Sequence, residues 1–192
     1  MTSRVRQMSR TDGFVYCVIR QGSGARALKH VFGEKEQERL RRLLESGFAA
    51  PKRFPKLQEL CDDAKAHFDV DVAAVTLLTE DLLLLKAGAG IDVDPLPRNV
   101  AFCNYTILQD EVFVAPDTKL DVRFKDNPLT TGSPFIRFYA GAPLIYLQGI
   151  RLGSFCLLHS KPREFSLGNR AELADFAERA MSVMVACLLP QR

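Results

Sequence analysis

The chain has 192 residues, of which 47% are hydrophobic and 26% are charged, and its formal net charge is +3. This composition is typical of one ordinary soluble domain, and no stretch approaches the roughly 18 consecutive apolar residues of a membrane span. The five cysteines form no closely spaced pair, which argues against a disulfide framework or a zinc ribbon and favours a reducing compartment. We therefore expect a cytoplasmic protein without a membrane segment.

The first 33 residues are unusually basic. Residues 1–42 contain ten Arg and Lys against four Asp and Glu, whereas the rest of the chain contains 16 against 19. Basic arms can bind nucleic acid, but these charges alternate with apolar residues and with the run Gly22-Ser23-Gly24. We expect residues 1–33 to be a solvated, partly disordered leader with no nucleic-acid partner, and residues 34–192 to form a single domain.

Two amphipathic helices are predicted after the leader. Residues 34–46 have helical spacing and end at Gly47, a residue suited to a helix C-terminus. The apolar face of this helix is formed by Leu40, Leu43 and Leu44. Residues 55–68 begin with Pro55 and repeat apolar residues at helical spacing, which places Cys61 in the core.

Short apolar runs separated by turn residues predict antiparallel strands. These strands cover residues 72–79, 82–87, 113–114, 136–147 and 152–159. Two hairpin turns are expected at Glu80-Asp81 and at Gln148-Gly149.

A last helix is predicted after Ser166, a suitable N-cap. Its apolar stripe contains Leu173, Phe176, Ala180, Met184 and Cys187. Helices followed by antiparallel strands and a closing helix indicate an α+β fold with the helices packed on one sheet.

Six blocks of the chain carry a family resemblance. They are ERLRRLL, FPKLQELCDDAKAHFDVDVAAVTLLTED, PRNVAFCNYTI, APDTKLDVRFKDNPL, IRFYAGAPL and GIRLGSFCLLHSKPREFS. In order and spacing they resemble the GAF domains that precede bacterial histidine kinase and diguanylate cyclase modules. The resemblance implies a six-stranded antiparallel sheet with the N- and C-terminal helices on one face. It also implies a small-molecule pocket on the other face, under a roof formed by residues 102–107 and 124–138.

The residues expected to bind a ligand lie in this roof and on the strand that follows it. They are Phe102, Cys103, Tyr105, Phe124, Asn127, Arg137 and Tyr139. The small residues 140–142 are expected to leave room for a ligand on that strand. Arg123 follows Asp117 and Asp121 closely, so tying the loop down is favoured over ligand contact for its guanidinium.

Enzymatic and cofactor-binding relatives are weaker alternatives. Free methionine sulfoxide reductases, a branch of this fold, use closely spaced cysteines that the chain lacks. Bilin-binding relatives have a His after the attachment cysteine, whereas Asn104 follows Cys103, and no phosphate-cradling glycine loop occurs. His30, His67 and His159 are too scattered to suggest a metal site. We expect no catalytic residue, no metal and no cofactor.

Two functions are therefore considered. In the first, the chain senses an unidentified small molecule and acts on a signalling output protein. In the second, the pocket is vestigial and the terminal helices serve dimerisation.

The C-terminal segment favours self-association. Residues 181–190 contain Ser182 as the only polar residue, so we expect a two-fold homodimer. The residues expected near its axis are Met181, Met184, Val185 and Leu188. Alternatively, the leader covers this helix within one chain.

Overall fold

The structure is a computed structural model that describes residues 35–50 and 54–188. The leader predicted over residues 1–33 lies outside the described residues. In chain order the elements are α1 (Lys35–Glu45), α2 (Pro55–Phe68), β1 (Val72–Leu78), β2 (Leu82–Ala89), β3 (Leu96–Pro97), α3 (Cys103–Thr106), β4 (Phe113–Ala115), α4 (Pro128–Thr131), β5 (Phe138–Tyr146), β6 (Ile150–His159) and α5 (Leu167–Ala186).

The strands form one six-stranded sheet in the order β3-β2-β1-β6-β5-β4, and every neighbouring pair is antiparallel. The predicted α+β fold with a six-stranded antiparallel sheet is thus confirmed. The residue pattern alone did not predict β3, a two-residue edge strand that contains Pro97. Proline has no N–H to donate, so it is tolerated at a sheet edge and gives no strand signal.

The hairpin between β5 and β6 turns where the sequence predicted. Gln148 and Gly149 have φ angles of 60° and 75°. Two successive residues in the left-handed region match the twist of the flanking strands, which explains why this pair closes the hairpin. The turn places Phe155 and Cys156 opposite Ala142 and Gly141 of β5.

Helices α1, α2 and α5 pack on one face of the sheet. Their buried apolar residues include Leu43, Leu57, Ala64, Leu173 and Phe176. Cys61 is fully buried on α2, as predicted, and burial raises the pKa of its thiol to about 12. The apolar face predicted for α1 is wrong at Leu44, which is 73% exposed, because Arg39 takes the buried position instead.

Helix α5 begins as predicted. The Ser166 hydroxyl accepts a hydrogen bond from the Asn169 backbone N–H (3.1 Å), and the Asn169 carboxamide oxygen accepts one from the Ser166 N–H (3.1 Å). The predicted stripe is buried at Leu173, Phe176, Ala180 and Met184, and Cys187 is half-buried.

This packing corrects the predicted position of one methionine. Met184 is fully buried in the core of one chain, so its side chain is not available at a two-fold axis, whereas Met181 is 7% exposed and lines a groove beside Ile145. Val185 and Leu188 remain 38% and 45% exposed. None of the helices in the described ranges is long and apolar enough to cross a bilayer.

Candidate functional site

A cavity of about 350 Å³ lies between the sheet and the segments that cover its other face. Strands β1, β2, β5 and β6 form its floor, and residues 91–103 and 129–136 line its roof. The roof therefore extends further towards β2 than the predicted segments, residues 102–107 and 124–138. Most of its walls are apolar, including Val72, Ala74, Leu85, Ile91, Leu129 and Leu158. No Lys or Arg is among the described residues that line it. A cavity with these walls is suited to an apolar, uncharged ligand.

Five buried polar side chains meet at the inner end of the cavity. They are Thr76, Cys103, Tyr139, Ser154 and Cys156. The Thr76 hydroxyl lies 3.4 Å from the Cys103 sulfur and 3.2 Å from the Ser154 hydroxyl, and Tyr139 shares a 2.7 Å hydrogen bond with the Thr106 hydroxyl. This end supplies hydrogen-bonding groups that the apolar middle of the cavity lacks.

The outer end of the cavity is acidic and polar. Asp71 Oδ2 accepts a 2.6 Å hydrogen bond from the Ser160 N–H and lies 3.0 Å from His159 Nδ1. Burial opposes ionisation of Asp71, but the hydrogen bonds from Ser160 and the nearby His159 lower the pKa of Asp71 overall. Asp71, Gly90 and Ser160 are exposed, so the cavity opens at this end.

The predicted ligand-binding residues divide into three that line the cavity and four that do not. Phe102, Cys103 and Tyr139 line it. Tyr105 and Phe124 pack beside it, with their ring centroids 4.9 Å apart, and so support the roof.

Asn127 and Arg137 hold the roof in place. The Asn127 side chain accepts a hydrogen bond from the Leu129 N–H (2.9 Å) and donates one to the Val100 carbonyl (3.0 Å), which connects the two roof segments. Arg137 makes a two-pronged ion pair with Asp117 at 2.9 and 2.6 Å. Both side chains position the cavity walls.

Arg123 ties the loop down through Asp121. Its Nε donates a 2.8 Å hydrogen bond to Asp121 Oδ1, and its guanidinium lies 4.6 Å from the centre of the Phe113 ring. This geometry agrees with the prediction that Arg123 ties the loop down rather than contacting a ligand.

The room expected beside residues 140–142 is not ligand space. A Cβ atom at Gly141 would collide with the Tyr139 hydroxyl and with Thr106 Oγ1. Ala140 and Ala142 belong to the core on the helical face. Gly141 therefore makes room for the Tyr139–Thr106 hydrogen bond, and the expectation about these three residues is wrong.

Several cavity residues were missed in the sequence. Gly90, Ile91 and Val93 lie between β2 and β3 without regular spacing, so no periodic signal marked them. Cys156 was predicted only as part of a strand. It belongs to the same buried cluster as Cys103 because α3 packs onto the centre of the sheet.

A buried ion network joins α1 to the roof. Glu36 pairs with Arg39 (2.7 Å) and with Arg98 (2.6 Å), and Arg98 Nε donates to the Asn104 side chain (3.0 Å). Arg39 also donates to the Leu78 carbonyl at 2.7 Å. The hydrogen bonds from Arg39 and Arg98 outweigh the burial of Glu36 and lower its pKa. The first helix and the roof are thus in direct polar contact.

Comparisons with known proteins agree with this architecture. Residues 56–186 match the GAF domain family. The chain is 41% identical over 106 residues to a cyclic di-GMP phosphodiesterase of Pseudomonas aeruginosa, a match that covers 55% of this chain and 18% of that protein. The chain therefore corresponds to less than a fifth of that relative's length.

Two solved structures share the fold. The GAF domain of a phosphoenolpyruvate-protein phosphotransferase from Coxiella burnetii aligns with a TM-score of 0.59 and 16% identity, over 80% of this chain and 94% of that one. The type II free methionine-R-sulfoxide reductase of Thermoplasma acidophilum aligns with a TM-score of 0.57 and 18% identity, over 69% and 92%. With the six-stranded sheet and the family match, these findings establish that the chain belongs to the GAF domain family.

Proposed function

We propose that the chain is a non-catalytic, small-molecule-sensing regulatory domain of a signalling protein. The observation that carries this proposal is the cavity of about 350 Å³ beneath the roof, which lies within the range typical of small-ligand sites. Phe102, Cys103 and Tyr139 contact the ligand, whereas Tyr105, Phe124, Asn127 and Arg137 hold the roof that covers it.

The walls of the cavity favour a compact, uncharged and largely apolar ligand. An anionic ligand such as a cyclic nucleotide would lose hydration without meeting Lys or Arg among the described lining residues. Among the described lining residues, polar side chains lie at the two ends of the cavity, near Thr76 and near Asp71. We therefore propose a ligand with an apolar body and one polar group.

The output of the sensor is proposed from the curated relative. Because that relative is a cyclic di-GMP phosphodiesterase and the chain matches only a fraction of it, we propose that this domain regulates an enzyme of cyclic di-GMP turnover. The network from the roof through Arg98 and Glu36 to α1 provides a route for the signal. We place the protein in the cytoplasm, consistent with the free thiols of Cys61, Cys103, Cys156 and Cys187.

Native mass spectrometry of the purified chain tests the binding proposal. A ligand retained in the cavity adds mass that disappears on denaturation, and libraries of apolar compounds should raise the melting temperature of the empty protein. Ala74→Phe fills the cavity from β1 and should abolish both effects. Ala171→Phe, at an exposed site on α5, is the matched control and should leave them intact. Equal binding by both variants would refute this site.

A second function, dimerisation, is supported by a separate surface. Ile145 and the exposed end of α5 border a groove whose lining includes Met181, Val185 and Ala186. We propose that a second copy of the chain covers this groove, since symmetric pairing is the commonest form of self-association.

A further inference from the structure

Two thiols from distant parts of the chain meet at the inner end of the cavity. Cys103 begins α3 in the roof, and Cys156 lies on β6 opposite Ala74 of β1. Both side chains belong to the same buried cluster and line the cavity, and each residue is only 3% exposed. The Cys103 sulfur lies 3.4 Å from the hydroxyl of Thr76, which is on the strand next to Cys156. The cavity is thus the route by which a small molecule reaches either sulfur.

The surrounding polar groups give the two thiols different pKa values. The neighbouring Cys156 thiol, the hydroxyls of Ser154 and Tyr139, and the Thr76 hydroxyl at 3.4 Å favour the Cys103 thiolate, and they lower the pKa of its thiol to about 6 against the opposing effect of burial. The contact with Cys103 and burial raise the pKa of Cys156. In this arrangement the Cys103 thiolate can attack an oxidant. The protonated Cys156 thiol can then react with the oxidised Cys103 sulfur to form a disulfide.

We propose that Cys103 and Cys156 form a redox-active dithiol that organic hydroperoxides entering the cavity oxidise to a disulfide. In the first step the Cys103 sulfur attacks the terminal peroxide oxygen and the O–O bond breaks. Cys103 becomes a sulfenic acid and the hydroperoxide leaves as its alcohol after gaining a proton. In the second step the Cys156 sulfur attacks the sulfenic sulfur, which forms the S–S bond and releases water.

The apolar walls of the cavity favour oxidants that carry an apolar group. These walls and the cavity volume of about 350 Å³ suit a hydroperoxide with a hydrocarbon group better than hydrogen peroxide, which gains nothing from apolar contact. The disulfide also ties α3 of the roof to β6 of the sheet, so oxidation restricts the cavity. This activity goes beyond reversible ligand sensing and does not depend on the proposed ligand.

The experiment treats the full chain with cumene hydroperoxide, alkylates the remaining thiols and maps the peptides by mass spectrometry. We expect one disulfide-linked pair containing Cys103 and Cys156, reversed by dithiothreitol, while Cys61 stays unmodified as an internal control because its thiol pKa is raised. Cys156→Ser should stop at a Cys103 sulfenic acid that dimedone traps. Cys103→Ser should lose oxidation at Cys156.

The dependence on pH and oxidant provides a further readout. Because the pKa of the Cys103 thiol is lowered, the oxidation rate should fall when the pH is lowered from 7.5 to 5 and should change little above pH 7.5. Cumene hydroperoxide should react faster than hydrogen peroxide. The proposal is overturned if the unmutated chain forms no Cys103–Cys156 bond while free glutathione is oxidised, or if Cys61 reacts as fast as Cys103.

Discussion

Tyr139 shows how one hydroxyl determines the packing around it. Its side chain is fully buried beside Gly141, and its hydroxyl has a 2.7 Å hydrogen bond to Thr106. Tyr139→Phe removes this partner and leaves the Thr106 hydroxyl buried and unsatisfied, so we expect a loss of about 1–3 kcal/mol in the free energy of unfolding. Urea denaturation measures it. Tyr146→Phe, at the partly exposed end of β5, is the control and should change stability by less than about 0.5 kcal/mol. Equal losses would contradict this role.

The ion pair between Arg137 and Asp117 predicts a dependence on pH. The hydrogen bonds from Arg137 lower the pKa of Asp117, so the pair stabilises the fold above the pKa of the unfolded Asp. This contribution is lost as the pH falls through the lowered pKa of the folded state. Arg137→Gln should therefore be destabilising at neutral pH and nearly neutral in acid, as measured by denaturation at both pH values. A penalty that does not change with pH would show that the loss comes from packing alone.

At the scale of elements, the network of Glu36, Arg39 and Arg98 joins α1 to the roof. Glu36→Gln leaves two largely buried guanidinium groups without their carboxylate, so we expect a loss of about 3 kcal/mol in the free energy of unfolding. Hydrogen exchange should also become faster in α3, because Arg98 holds Asn104 in that helix.

Glu38→Gln is the matched control for this network. Glu38 also pairs with two arginines, Arg41 and Arg42, but on the exposed side of the same helix. Its loss should change stability little and leave exchange in α3 unaltered. Equal effects of the two substitutions would rule out a special contact between α1 and the roof.

At the scale of the whole molecule, the exposed apolar end of α5 predicts a homodimer. Val185→Glu places a charge in the groove beside Ile145 and should shift the chain towards monomer, as measured by light scattering over a concentration series. Leu167→Glu introduces the same charge at the opposite, exposed end of α5 and should leave the association unchanged.

Two outcomes would contradict the dimer. An unmutated chain that is monomeric at every concentration refutes it directly. Aggregation that appears only when residues 1–33 are removed would support the alternative, in which the leader covers this helix.

The sequence by itself determined the elements whose signals are local. Pro55 and Ser166 marked the starts of α2 and α5, and the helical repeat of apolar residues identified their buried faces. Gln148-Gly149 identified the β5–β6 turn because its backbone requirement is met within two residues. The order of the six motif blocks also indicated the family, and hence the sheet with its roof.

Only the tertiary structure decided which distant side chains meet. Arg39 displaced Leu44 from the buried face of α1 because carbonyl oxygens of the sheet and Glu36 satisfy its guanidinium. The absence of a side chain at Gly141 makes room for the Tyr139 hydroxyl rather than for a ligand. Cys103 and Cys156, which are distant in the chain, both line the cavity. Residue periodicity indicates which face of an element is buried. These contacts depend instead on how the roof packs against the sheet, and no local sequence pattern determines which residues of the two layers come together.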